Sequence, residues 1–295
     1  MDALIFLLAL PLLLLLSILP HPILYLVSDG LCFLLYHVFK FRLKVVRLNL
    51  ELSFPDKTFE ERKKIEHEFY KNLCDIFLEM AKNITISEKQ IKKRFRFEGV
   101  ELLNAYKKQK RSSILQLGHF SNWEGMLSIG HYLDGIGYAI YAPLSNKYFD
   151  WLIQKSRRKH HIELVPRLET IDFIQKNESE GNYAMYGFIS DQSPNVRPKT
   201  YWRPFLGIEV PVFTGAGRMA KKFNLPILFA EINRDRRGYY TAKISSLVEN
   251  CKDYTENELS DLFLEKVEAQ IRRNPSQYLW SHNRFKHRDK ASKDV

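Results

Sequence analysis

Only three cysteines, Cys32, Cys74 and Cys251, occur in the 295 residues. Their scatter shows no metal-ligand spacing, so no metal site is expected, and it suits a reducing compartment. No Gly/Ser linker and no internal repeat divides the chain. Neither a zinc-finger spacing nor an aromatic RNP pattern is present, so nucleic acid is not an expected partner. Charge is missing altogether from Leu4 to Pro20, and Pro22 to Phe39 carries Asp29 as its one formal charge. A basic n-region and a small-x-small cleavage site are both missing around that apolar start, which disfavours a cleaved signal peptide.

What is there begins with an anchor. Leu4 to Pro20 would span about 26 Å as a helix, slightly less than a hydrocarbon core of ~30 Å. Pro11 and Pro20 threaten a kink. Two forms stay open: a single span, or a broken hairpin dipping into one leaflet. Lys40, Arg42, Lys44 and Arg47 follow at once, which places the remaining body in the cytoplasm by the positive-inside rule. The expected organisation is an N-terminal membrane anchor over residues 1–40 and a cytosolic domain over 41–295. The net charge is +11, from 45 basic and 34 acidic residues. Beside an anchor, an anionic phospholipid surface is the partner this favours. Lys92–Arg96 and Arg157–His161 are the basic segments that can supply it.

Beyond residue 50, helix-like and strand-like segments alternate. Strands are read at Ser113–Leu117, Gly137–Ala142, Glu163–Val165, Tyr183–Ser190, Ile227–Ile232 and Tyr239–Ser245. Helices are read at Thr58–Ala81, Val100–Lys110, Asn122–Leu133, Lys147–Lys159, Thr170–Asn177, Thr214–Lys222 and Glu256–Arg273. Alternation of this kind predicts a single α/β domain with a mainly parallel central sheet flanked by helices. Three polar loops, Gly118–Asn122, Ala142–Asn146 and Asp191–Arg197, fall at strand carboxyl ends, where active sites gather in such sheets.

The first of these loops is the most informative. His119 lies in a turn after a buried strand, and Glu124 falls five positions on, at the third residue of a helix that Ser121 can cap. An imidazole backed by a carboxylate takes a proton from a hydroxyl near neutral pH. The competing reading is a capping box, Ser121-x-x-Glu124, with His119 an ordinary turn residue.

The chain resembles the lipid A biosynthesis acyltransferases, the late lauroyl/myristoyl transferases of Gram-negative bacteria, from about residue 45 to residue 288. The resemblance rests on an ordered series of motifs. They are Val45-Val46-Arg47 through Phe54-Pro55, the His119-x4-Glu124 block, Tyr141-x-Pro143-Leu144-x-Asn146, Arg157, Asp191-Gln192, Phe205-Leu206-Gly207, and Pro275 through Lys286. It implies a glycerol-3-phosphate acyltransferase-like fold and transfer of a fatty acyl group from acyl carrier protein to the hydroxyl of a lipid A precursor held in the inner membrane. It also implies no metal and no organic cofactor. His119 is then the base and Glu124 the group that holds its ring. Arg157 is a candidate for the oxyanion or an acceptor phosphate, and Asn122 for the oxyanion. Asp191, with Gln192 beside it, is a candidate partner of Arg157 or of the acceptor. His282 reads as a structural histidine, and Trp123 and Phe205 as candidate acyl-chain walls. Two departures, Ser193-Pro194-Asn195 and His160-His161, fall in presumed acceptor-side loops. The alternative reading is an O-acyltransferase for an aminolipid or another monoacylated lipid.

Overall fold

The computed structural model describes residues 1–293. Its centre is a seven-stranded sheet in the order β1-β9-β8-β2-β5-β3-β4. The strands are β1 Phe95–Glu98, β2 Ser113–Leu117, β3 Gly137–Tyr141, β4 Ile162–Pro166, β5 Met185–Ile189, β8 Ile227–Arg236 and β9 Tyr239–Val248. Only the β8–β9 hairpin pairs antiparallel; the other neighbours are parallel. All five residues of β2 are buried, as expected for a central strand covered by helices on both faces. A separate hairpin joins β6 Trp202–Phe205 to β7 Ile208–Pro211. Among the strands, β1 and the β6–β7 hairpin escape the sequence reading. β1 directly follows the basic run Lys92–Arg94, and the β6–β7 hairpin carries Pro204, Gly207 and Pro211, residues that argue against strands.

Helices cover the sheet. They are α1 Asp2–Ile18, α2 His21–Phe33, α3 Leu43–Ser53, α4 Phe59–Lys82, α5 Glu88–Arg94, α6 Val100–Lys108, α7 Lys147–Arg158, α8 Thr170–Ser179, α9 Gly215–Phe223 and α10 Glu256–Arg273. Both α4 and α10 start with a complete capping box, Thr58 with Glu61 and Thr255 with Glu258, each satisfying helix-end donors that water would otherwise take. Phe263, Leu264, Val267 and Ile271 of α10 pack against Phe229 and Trp280 on one face of the sheet. Phe95, Leu115, Met126 and Leu228 fill the other. At ~1.5–3 kcal/mol for each fully buried large apolar side chain, these layers outweigh any single polar contact.

The apolar start is a broken pair of helices. The chain runs helically through Pro11 and breaks at Leu19–Pro20. A one-turn π segment, Leu34–Val38, prolongs α2, making His21–Val38 long and apolar enough to cross a membrane by length and composition. Both helices are tied to α4. Lys82 Nζ donates to the carbonyls of Ser17 and Leu19 at 2.7 Å each, closing the end of α1. Along α2, Tyr25, Ser28 and Tyr36 donate to Glu79, Asp75 and Glu66, all at 2.7 Å. Arg42 and Arg47 bond the Ser281 carbonyl and the Glu66 carboxylate, so two of the flanking cations serve the body itself.

His160, read as an acceptor-loop residue, is instead buried behind α7. Its Nε2–H donates to Asn83 Oδ1 at 3.2 Å, and its Nδ1 accepts from His131 Nε2–H at 3.0 Å. That pattern needs a neutral ring. Burial first, then the charge of Lys159, pushes His160 down to about 3. A histidine held below its unfolded value of ~6.5 gives stability that is complete above that value and lost as pH falls toward the folded one. The unfolding free energy should therefore decline by about 1.4 kcal/mol per pH unit from this site between pH ~6.5 and ~3. His160→Gln should remove that slope in denaturant titrations at stepped pH. An unchanged slope would show that another group carries it.

Candidate active site

Strand register builds the site. β2 and β5 run parallel with Leu117 opposite Ile189, so the residue two past each strand lands beside its counterpart. Those residues are His119 and Asp191. Their side chains meet at 2.7 Å, His119 Nδ1 to Asp191 Oδ1. The His119 backbone N–H donates to Asp191 Oδ2 at 3.1 Å. Asp191 is fully buried. Burial pushes its carboxyl up, but the charge and N–H donors of His119 outweigh this and hold it below the usual carboxylate range. An ionised Asp191 accepts from Nδ1–H, which leaves Nε2 as the basic nitrogen.

Glu124 does not hold the imidazole. Its carboxylate forms a fork with Arg157, Oε1 to Nη2 at 2.6 Å and Oε2 to Nε at 3.3 Å. Planar guanidinium and carboxylate match in this two-point geometry, which fixes orientation as well as charge. Of the two roles the sequence left open for Asp191, pairing with Arg157 or orienting the acceptor, the first is not formed: Asp191 takes His119, and Arg157 takes Glu124. Arg157 reaches across from α7. Trp123 sets its edge against the His119 ring at 5.4 Å.

The capping box is not formed either. Ser121 adopts φ +52, in the left-handed region, and its hydroxyl has no partner among the described residues. Asn122 is the cap of a 3-10 helix, Trp123–Tyr132, accepting from the Gly125 N–H at 2.8 Å. Its amide nitrogen donates to Glu79 at 2.7 Å. With its oxygen and one amide N–H engaged, Asn122 ties the start of this 3-10 helix to Glu79 of α4. Gly118 lets α10 pack closely: a Cβ there would lie 3.3 Å from Val267, which would have to give way slightly, and in ordinary contact, 3.8 Å, with the Asp191 carboxyl carbon. Gln192 lies partly exposed next to Asp191.

The carboxy-terminal block straps the turn from behind. The Ser121 N–H donates to the Gln277 carbonyl at 2.7 Å, and the Leu279 N–H to the His119 carbonyl at 3.1 Å. Tyr278 is buried beside Asp191, and burial followed by that charge pushes its hydroxyl well above the ordinary range. His282 is structural. Its Nε2 accepts from the Ser193 N–H at 3.1 Å, and burial pushes it down to about 4. Ser193 Oγ donates to the Arg284 carbonyl at 3.1 Å, so this departure from the motif serves packing. Phe205 is a core residue beneath the Arg284 guanidinium, 5.2 Å away, and no acyl-chain wall. A cavity of about 660 Å³ under α2, lined by Phe33, Lys71, Arg234 and Gln277 among others, includes neither His119 nor Glu124. No cluster fit to hold a metal occurs among the described residues.

Glu79 is the site residue that sequence reasoning missed. One carboxylate accepts from Tyr25 of α2 at 2.7 Å, Asn122 of the turn after β2 at 2.7 Å and Tyr240 of β9 at 2.8 Å. With Glu124 it lines a narrow cleft. Burial pushes its carboxyl up against the pull of these donors. Glu79→Leu would orphan the buried Asn122 and Tyr240 donors, at about 1–3 kcal/mol each. Denaturant unfolding should report a loss of about 2–6 kcal/mol, and Glu79→Gln, which keeps an acceptor, a clearly smaller one. Equal losses for the two variants would contradict the role of the carboxylate as a shared acceptor.

The family model for bacterial lipid A biosynthesis acyltransferases matches residues 2–287. The chain is 29% identical over 278 residues to the lipid A biosynthesis acyltransferase of Haemophilus influenzae, covering 92% of this chain and 86% of that one. It is 27% identical over 276 residues to the lipid A biosynthesis lauroyltransferase of Escherichia coli, covering 92% and 87%. Identity to the lipid A biosynthesis palmitoleoyltransferase of Escherichia coli is 24% over 278 residues, covering 92% and 87%. A family match over nearly the whole length, on a fold that gathers His119, Asp191, Glu124 and Arg157 at its strand ends, makes this chain a member of the bacterial lipid A biosynthesis acyltransferases.

Proposed function

We propose that this protein transfers a fatty acyl group from acyl carrier protein to a hydroxyl of a lipid A precursor, as a late secondary acylation. The observation that carries the chemistry is the His119–Asp191 pair at 2.7 Å, with Nδ1–H committed to a buried carboxylate. His119 Nε2 takes the proton of the acceptor hydroxyl as its oxygen attacks the thioester carbonyl. The carbon–sulfur bond of the tetrahedral intermediate then breaks, and the imidazolium returns the proton to the departing thiolate. Asp191 stabilises the imidazolium between these two steps, as a buried carboxylate does in other histidine-based acyl transfers. No covalent acyl-enzyme is required.

Arg157 is assigned to the developing negative charge or to a phosphate of the acceptor. Glu124 uses two of its nitrogens, Nε and Nη2, so the guanidinium is aimed before substrate arrives, which is the preorganisation that electrostatic catalysis depends on. The names of the relatives support lipid A as the acceptor. The outward leucines of α1 and the apolar length of His21–Val38 support residence at the inner membrane. The basic residues after the anchor support a cytoplasmic catalytic face.

Incubation of the purified protein with acyl carrier protein carrying a defined acyl chain and with a lipid A precursor should give a product heavier by one acyl group. His119→Ala should lower turnover by about 10²- to 10⁴-fold while leaving the protein folded and membrane-bound. An unchanged precursor mass with the wild-type protein, together with loss of an aminolipid from a deletion strain, would reassign the acceptor. Full turnover by His119→Ala would remove the base.

A further inference from the structure

The helix that brings Arg157 to Glu124 carries a second, outward stripe. On α7, Tyr148, Trp151, Lys155 and Arg158 are exposed, at the i, i+3, i+7 and i+10 spacing of one helical face. Leu152, beside this stripe, is buried. Trp151 is 55% exposed and Leu144, just before the helix, 46%. Exposed tryptophan beside exposed leucine marks a surface built for contact and not for water. Lys155 Nζ lies 5.1 Å from the centre of the Trp151 ring, and Lys147 Nζ 5.6 Å from that of Tyr148. Amphipathic rings interleaved with cations are the composition of a helix at a lipid headgroup layer.

This stripe continues the apolar face of α1. Phe6 of α1 stacks on Tyr148 with centroids 5.7 Å apart and meets Phe149 edge-on at 5.3 Å. Asn146 Nδ2 donates to the Asp2 carbonyl at 3.2 Å. On the far side of Phe6, Leu4, Leu7 and Leu8 are 62–73% exposed. The charge is one-sided. Arg158 is engaged by Glu163 at 3.2 Å, whereas Lys147 and Lys155 have no acidic partner among the described residues. Asp150, the acidic residue of α7, is engaged by the Leu144 N–H at 2.9 Å and by Gln154 Nε2–H. Anionic headgroups complement that arrangement. An acidic protein would also meet the lysines, but it would leave tryptophan and leucine facing the plane that α1 already presents.

We propose that α7 is a second membrane-contacting element, its Tyr148–Trp151–Lys155 stripe lying on an anionic leaflet beside α1. Its opposite side holds Arg157, so a lipid acceptor would reach the site from the leaflet along this helix. The acceptor route rests on the proposed function; the membrane contact stands without it.

The test is tryptophan fluorescence of the full-length protein in vesicles of phosphatidylcholine, with or without phosphatidylglycerol, whose acyl chains carry bromine as a quencher. Four tryptophans report, and Trp280 is buried in the core. The wild type should be strongly quenched, and Trp151→Phe should lose at least half of that quenching with an unchanged circular dichroism spectrum. Lys147→Glu combined with Lys155→Glu should lower quenching more with phosphatidylglycerol than without. Equal quenching of wild type and Trp151→Phe would overturn the contact, as would shielding of Trp151 by acyl carrier protein and not by vesicles. Because quenching needs no substrate, an unquenched Trp151 in a protein that still transfers acyl groups sinks this inference alone. A quenched Trp151 in a protein that transfers none sinks the proposed function alone.

Discussion

Parallel pairing of β2 with β5 is the constraint on which the site depends. Leu117 faces Ile189 in the ladder, and two further residues on each strand bring His119 and Asp191 into contact. A shift of one residue in that register would point the two side chains to opposite faces of the sheet. Burial of all of β2 resists such a shift, because Ile114, Leu115 and Leu117 would change sides of the core. The polar pair is thus aligned by apolar packing. The strap from Gln277 to Leu279 then closes the turn with two backbone bonds, so the imidazole is held from the strand behind, the carboxylate beside and the carboxy-terminal block beneath.

The two carboxylates divide the labour. Asp191 lies inside the protein and governs one ring nitrogen. Glu124 lies nearer the surface and governs one guanidinium. Each negative charge has a cationic or N–H partner at 2.6–2.7 Å, which a carboxylate this shielded from water requires. The apolar start of the chain is joined to the same arrangement through α4: Glu66, Asp75, Glu79 and Lys82 of that helix hold α1, α2 and the π segment by their polar groups. Glu79 among these also bonds Asn122 in the turn that carries His119. The apolar start of the chain is therefore packed into the body on one side and leaves its leucines outward on the other.

The order of strands and helices was legible because periodicity is local. The bounds expected for β2 and α10 match those found, and the three loops read at strand ends do lie together at the carboxyl ends of neighbouring parallel strands. His119, Glu124, Arg157 and Asp191, which the structure joins in two pairs, were each singled out in the sequence. Their pairing was not. Asp191 is 72 positions from His119 and Arg157 is 33 from Glu124, and which carboxylate meets which cation follows from sheet register, about which spacing within the His119-x4-Glu124 block says nothing. Glu79 left no signal at all, because a glutamate on an amphipathic helix reads as solvated until three separate elements converge on it. The expected Ser121 cap failed for a local reason: Ser121 in the left-handed region passes the capping role to Asn122.

The central claim is that Asp191 fixes the proton on Nδ1 of His119 and leaves Nε2 to act. Nitrogen-15 NMR of histidine-labelled protein tests it most directly, with the His119 signals identified by their loss in His119→Gln. At a pH where the ring is neutral, the account predicts a protonated, pyrrole-type Nδ1 and an unprotonated, pyridine-type Nε2, with that preference lost in Asp191→Asn and kept in Glu124→Gln. A protonated Nε2 in the wild type, or a tautomer that follows Glu124 and not Asp191, would contradict it.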